Sequence, residues 1–396
     1  MDETEQHVMP TYARAAEVFV AGRGATVVDR DGREFLDFLA GIAVSALGHA
    51  HPELSAAVAD QIGRVAHLSN LFRHPFSEQV AARLCAHTAM DAVFFTNSGT
   101  ESMECALKLA RRAMGRRGTP ARTSFVALEG GFHGRTLGAL SLTHAEKYRV
   151  PFGPLLDVAW VPPGDLAALE RCLHERLPAA LVIEPIQGEG GVRELPGDYL
   201  RGARELCDRT GTILVHDEIQ SGCGRTGHFL AAQHHDVTPD VVTIAKPIAA
   251  GLPMGACLAR GELAHVFDKG DHGSTFAGGP LVCRAALVFL DALDGGLLDN
   301  VAARGAELRA GLERLAAELP VIAEVRGRGL MLGLRLHHSA ALAQRRLYDA
   351  GLIVNCTAGD VLRLLPPFVV SSAQIDTALG QLRSVLTGLP ANQETA

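Results

Sequence analysis

At 396 residues the chain is too long for one small core, and a net charge of −7 without a long basic block gives no sign of nucleic-acid binding. With 47% hydrophobic and 20% charged residues and 42 glycines, it reads as a soluble α/β enzyme, not a coiled coil or a disordered protein. Its eight cysteines are scattered, with no C-x-x-C pair and no Cys/His cluster of zinc spacing, so no metal site is expected and a reducing cytosol is.

The first ten residues, MDETEQHVMP, are acidic and lack an apolar stretch, so no secretory leader is expected. No run of about 18 apolar residues is free of charge and turn signals, so no membrane span is expected either. ATVVDRDGREFLDFLAG reads as two strands around an Asp-Gly turn. AVFFTNSG (92–99) reads as a strand ending in a turn, followed by the helix ESMECALKLARRAM. SFVALEGG (124–131), AALVIEPIQG (179–188), GTILVHDEIQ (211–220) and DVVTIAKP (240–247) read as further strands with helical stretches between them. Alternation of this kind predicts an α/β fold with a mainly parallel, doubly wound sheet, whose ligands bind at the carboxyl ends of the strands. Those ends are SGT, EGGFHG, EPIQGEGG, DEIQSG and AKP, the polar and glycine-rich spots of the chain. The last third predicts helices over roughly 281–318 and 338–350, and two strands about a turn in VIAEVRGRGLMLGLRL. It then predicts a terminal helix opened by a capping box of Ser371 and Gln374. Both chain ends, 1–50 and 285–396, are assigned to a smaller α+β domain packed on a large domain of residues 51–284.

Four strand ends carry candidate chemistry. Ser98, Gly99 and Thr100 open a helix, where small residues and the helix dipole suit a phosphate, or simply a cap. Phe132 and Arg135, in GGFHGRT, suit a ligand ring and a carboxylate, or else a core Phe and a surface Arg. Asp217 and Glu218 end a buried strand and point to opposite sides of it; a carboxylate there needs a cation or several hydrogen bonds. Lys246 is one of only four lysines against thirty-three arginines, and it is the lone charge in VVTIAKPIAAGLPMGACL. Burial lowers an amine's pKa and frees its lone pair, whereas Arg keeps its proton and forms no imine. A phosphate cradle, an aromatic cover, a buried Asp and a Lys on successive strand ends are what pyridoxal phosphate needs: phosphate on the helix, ring nitrogen on the Asp, aldehyde on the Lys.

The motifs FLDFLAGIAVSALGHAHP, FFTNSGTES, GFHGRT, EPIQGEGG, HDEIQSGCGRTG, AKP, HGSTFAGGP and RGRGLMLG, in that order from about residue 36 to 333, resemble the class III pyridoxal-phosphate aminotransferases of fold type I. Within that class LAGIAVSALGHAHP, EPIQGEGGV and GLIVNCTAGDVLRLLPP are most similar to the acetylornithine aminotransferase branch. The resemblance implies that Gly99 and Thr100 bind the cofactor phosphate, Phe132 and Ile219 cover its two ring faces, Asp217 pairs with the ring nitrogen and Gln220 bonds the ring hydroxyl. It implies that Lys246 is the Schiff-base residue and general base. Thr275 then reaches the partner subunit's cofactor, which implies a homodimer. Arg135 and Ser274 contact substrate, Arg363 takes the α-carboxylate of 2-oxoglutarate, and Glu189 masks Arg363 while the amine donor is bound. Ornithine aminotransferases carry a Tyr where this chain has Ile42, so Ile42 is expected to favour an acylated donor. The implied activity is transfer of the δ-amino group of N-acetylornithine to 2-oxoglutarate in a cytoplasmic enzyme of arginine biosynthesis. Another ω-amine donor, and a cofactor-binding protein without turnover, are the alternatives. Pro247 directly after the Lys, and Arg73-His74, depart from many relatives.

Overall fold

The computed structural model describes residues 7–389. The N-terminal six residues of the segment read above as lacking a leader lie outside them, as do the extreme ends of the two segments assigned to the smaller domain.

The central element is a seven-stranded sheet. Its strands run in the spatial order Ala92–Thr96, Gly255–Ala259, Val241–Ile244, Ile213–Asp217, Ala180–Ile183, Phe125–Leu128, Val158–Val161. All neighbouring pairs are parallel except those made by Gly255–Ala259, which runs antiparallel to both its neighbours. Strands 180–183, 213–217 and 241–244 are buried along their whole length, as continuous apolar runs in a two-sided sheet must be. Helix Gly99–Arg116 lays Met103, Ala106, Leu107, Ala110 and Met114 against one face. Helices Leu166–Arg176 and Gly197–Thr210 cover the other through Leu169, Leu173, Leu200 and Leu206. The prediction of a mainly parallel, doubly wound sheet holds. The antiparallel strand escaped the sequence reading because GACLA continues the apolar run begun before Lys246, which gives no period by which to separate it.

Two smaller sheets complete the molecule. Phe19–Arg23, Thr26–Asp29 and Glu34–Asp37 form an antiparallel meander, closed by a parallel pairing of Leu352–Ile353 with Leu36 and Asp37. The expected Asp-Gly turn is there: Asp29 Oδ1 accepts from the backbone N–H of Asp31 and Arg33, and Gly32 takes φ +82°. The second sheet orders Ile322–Arg328, Met331–Leu336, Val361–Leu364 and Asn355–Thr357, with Gly333 opposite Arg363. Helix Ser372–Thr387 opens on the expected capping box of Ser371 and Gln374. We propose residues 51–284 as the large domain and the two ends as the small one. The long helix Leu298–Glu318 crosses the 328–331 hairpin turn so closely that Gly305 meets backbone with no room to spare. A Cβ on Gly305 would lie 2.6 Å from the carbonyl carbon of Gly329. Gly305→Ala is therefore expected to destabilise the protein by about 1–3 kcal/mol, the usual cost of overpacking, read as a lower urea midpoint with an unchanged slope.

Candidate active site

The strand ends named above converge on one cavity of about 470 Å³. Gly99 and Thr100 line it at the start of helix Gly99–Arg116, where Ser98 caps by accepting from the N–H of Glu101. Phe132, Arg135, Asp217, Ile219, Gln220 and Lys246 line it as well. The glycines there are required. A Cβ on Gly99 would come within 2.8 Å of the Ile219 side chain, and one on Gly134 within 2.3 Å of Thr100 Oγ1.

Lys246 leaves the end of strand Val241–Ile244 with φ +47°, a left-handed conformation that side chains rarely adopt and that costs about 1–3 kcal/mol where it occurs. Pro247 opens the single helical turn that follows, so the departure noted in the sequence fits a sharp change of direction. Nζ has no hydrogen-bond partner among the described residues. Burial first, then the Arg363 charge, push its pKa from 10.5 down to about 8, against the opposing pull of Glu189, Asp217 and Glu184.

Each of those three carboxylates is held by something other than Lys246. Asp217 Oδ2 accepts from His133 Nδ1 at 2.7 Å, both side chains being buried, and its Oδ1 accepts from the N–H of Ile219. Burial lowers the His133 pKa, but the bond to Asp217 and the charges of Asp217 and Glu184 outweigh it and the net shift is upward. Glu184 accepts from the N–H of Phe132 at 2.9 Å and of Gly188 at 3.2 Å, and burial pushes its carboxyl up. Glu189 Oε1 accepts from Arg363 at 2.6 Å. Burial raises its pKa, but Arg363 outweighs that and holds it below the ordinary value. Arg363 is fully buried; the same nitrogen donates to Gln220 Oε1 at 3.0 Å and its Nε donates to Asn355. Glu218 points away from the cavity, to Ser221 and the N–H of Ala232, so the two neighbouring carboxylates diverge as strand alternation requires.

The remaining expected residues lie around this centre. Ser274 Oγ accepts from Asn97 Nδ2 at 3.0 Å, which ties its loop to the cavity wall. Thr275 and Phe276 are exposed beside it. Ile42, with φ +63°, is 38% exposed and does not line the cavity, where Val44 stands instead. The sequence reading missed His133 and Glu184, although both lie inside quoted motifs. The signal for His133 was available, since a buried Asp demands a cation. The signal for Glu184 was not, because its partners are backbone N–H groups. No group of three or more His, Cys, Asp or Glu among the described residues is arranged to hold a metal ion.

A cavity with a left-handed, depressed-pKa Lys, an Asp buried on a His and a glycine-lined helix start defines an enzyme of amine chemistry. The class III aminotransferase family model matches residues 10–386, and the chain belongs to that family. The acetylornithine aminotransferase of Methanopyrus kandleri is 46% identical, covering 96% of this chain and 97% of that one. The N-acetylornithine aminotransferase structure from Stenotrophomonas maltophilia K279a is 35% identical with a TM-score of 0.84, covering 95% and 97%. The ornithine aminotransferase of Toxoplasma gondii, with PLP partly occupying its active site, is 33% identical with a TM-score of 0.92, covering 96% and 92%.

The Lys246 environment sets a pH signature. Between about pH 8 and 10.5 the unfolded chain holds a proton on this residue that the folded cofactor-free protein has released, so its contribution to stability rises with pH through that window. Lys246→Met should therefore stabilise the cofactor-free protein at pH 7.5, and urea titrations should show that advantage shrinking towards pH 10.5.

Proposed function

We propose that the protein is a pyridoxal-phosphate transaminase of the cytoplasm that moves the δ-amino group of N-acetylornithine to 2-oxoglutarate. The products are N-acetylglutamate 5-semialdehyde and glutamate, a step of arginine biosynthesis. The observation that carries the reading is the closed Arg363–Glu189 pair beside Lys246, with Arg135 left open at the mouth. A donor that enters by its terminal amine needs one cation at its far end and none beside the lysine. Full-length similarity to acetylornithine aminotransferases supports the donor assignment.

The cavity residues suit the cofactor. Gly99 and Thr100 would hold the phosphate at the helix start, Phe132 and Ile219 the ring, Gln220 the ring hydroxyl, and Asp217 the ring nitrogen. Once bound, pyridoxal phosphate supplies an electron sink for the pair left when the substrate's C–H bond breaks. Lys246 would hold its aldehyde carbon. Freed by the incoming donor, Nζ would be placed to move the proton from the donor's δ-carbon, and its burial-lowered pKa suits it to shed and regain that proton. His133 keeps Asp217 oriented through the bond to its Oδ2. Arg135 and Ser274 hold the donor's carboxylate end. When 2-oxoglutarate follows, Glu189 swings away and Arg363 takes its α-carboxylate.

A homodimer completes this reading, with Thr275 reaching the partner subunit's cofactor. Its support is an apolar face: Leu71, Phe72 and Phe276 are exposed on two loops that Asn70 and His74 staple together. No helix among the described residues is long and apolar enough to cross a membrane.

Three outcomes test these assignments. With 2-oxoglutarate as acceptor and glutamate formation as readout, kcat/KM for N-acetylornithine should exceed that for ornithine by more than about tenfold, a gap of about 1.4 kcal/mol. The likeness to an ornithine aminotransferase makes equal efficiency the outcome that transfers the assignment to free ornithine. Borohydride should fix the cofactor to the peptide holding Lys246, and label on Lys108, Lys147 or Lys269 would remove Lys246 from its role. Glu189→Ala should increase reaction through α-amines while 2-oxoglutarate still binds, whereas unchanged α-amine chemistry would make the Arg363–Glu189 pair merely structural.

A further inference from the structure

We infer that Tyr148 is a positioning residue that holds Arg135 ready for a carboxylate; the inference rests on the role given to Arg135 above. The Arg135 guanidinium carbon lies 3.7 Å from the centre of the Tyr148 ring and 5.6 Å from that of Phe132. No described residue forms a side-chain hydrogen bond or ion pair with it, although the residue is exposed. Its backbone N–H is fixed by donation to Thr100 Oγ1 at 3.2 Å, and the two rings are the aromatic faces that hold the guanidinium among the described residues.

That choice of restraint matters. An exposed Arg samples many rotamers, and they are lost when a ligand immobilises it. A carboxylate neighbour would restrain it by occupying the N–H fork that a substrate needs. A ring face restrains the plane and leaves the fork's edge unspent. The Tyr148 hydroxyl makes no hydrogen bond to a described residue, so it is the ring that acts. Lys147 Nζ lies 4.9 Å from the same ring, which adds a second cation to this platform beside the mouth.

Arg135 faces the far carboxylate of both substrates in turn, so its support has a signature. Tyr148→Leu and Tyr148→Gln should raise KM for N-acetylornithine and for 2-oxoglutarate together, each about two- to fivefold, the range carried by a cation–π contact at an exposed site. The kcat should stay within about twofold, because the contact is made equally in ground and transition states. Tyr148→Phe should retain native KM values, and cofactor absorbance should be unchanged in all three. A fall in kcat with KM unchanged, or a Phe variant as impaired as the Leu variant, overturns the inference. Arg135→Gln measured alongside separates the two claims. If it leaves both KM values unchanged, the carboxylate role of Arg135 fails. If it raises both while Tyr148→Leu raises neither, Tyr148 is not its support.

Discussion

The site depends on three carboxylates, two buried and one half-buried, being occupied by partners other than the lysine. Glu184, Asp217 and Glu189 all act on Lys246, and any one left free would draw its amine into an ion pair and raise its pKa. Each is spoken for by a different kind of donor: backbone N–H groups for Glu184, an imidazole for Asp217, a guanidinium for Glu189. Burial then prevails at Lys246. The strand ends, the glycine turns and the C-terminal sheet can be read as the means of bringing those donors in from separate parts of the chain.

The sheet's strand order explains why they meet. Strands ending at Ile183, Asp217 and Ile244 are neighbours, and helix Gly99–Arg116 starts at the same edge. Arg363 comes from elsewhere, on a strand of the C-terminal sheet paired with Met331–Leu336. It joins the cavity by way of Gln220 and Glu189, so the large sheet supplies the lysine, the aspartate and the helix start, and the small sheet supplies the buried cation.

Much of this was legible before any coordinates. Continuous apolar runs marked the buried strands, and their polar ends marked the cavity. Lys246 announced itself as an amine where the chain elsewhere uses Arg, and Ser371 with Gln374 marked a helix start. What escaped had physical reasons. Gly255–Ala259 lacks a period of its own, and Glu184 is satisfied by main-chain groups that leave no mark in the side-chain pattern. The pairing of Arg135 with Tyr148 joins residues thirteen apart whose stacking depends on the path of the chain between them. Ile42 shows the opposite limit: the expectation for it came from the Tyr that ornithine aminotransferases carry there, not from any pattern in this chain, and in the fold Ile42 sits in a left-handed turn while Val44 lines the cavity.

The closed Arg363–Glu189 pair has one further consequence. As a unit it is neutral, so while it is shut the two residues add little to the field inside the cavity. Opening it separates a fully buried cation from a carboxylate that is already 37% exposed, and the carboxylate is the one that can move towards solvent. In the proposed switch, exchange between the two substrates is a charge separation between the buried Arg363 and a carboxylate moving into solvent. Mobile ions screen exposed charges far more than buried ones. On that proposal the balance between donor and acceptor forms of the site is a property of the surrounding electrolyte as well as of the substrates, and ionic strength acts on the pair without touching the chemistry behind it.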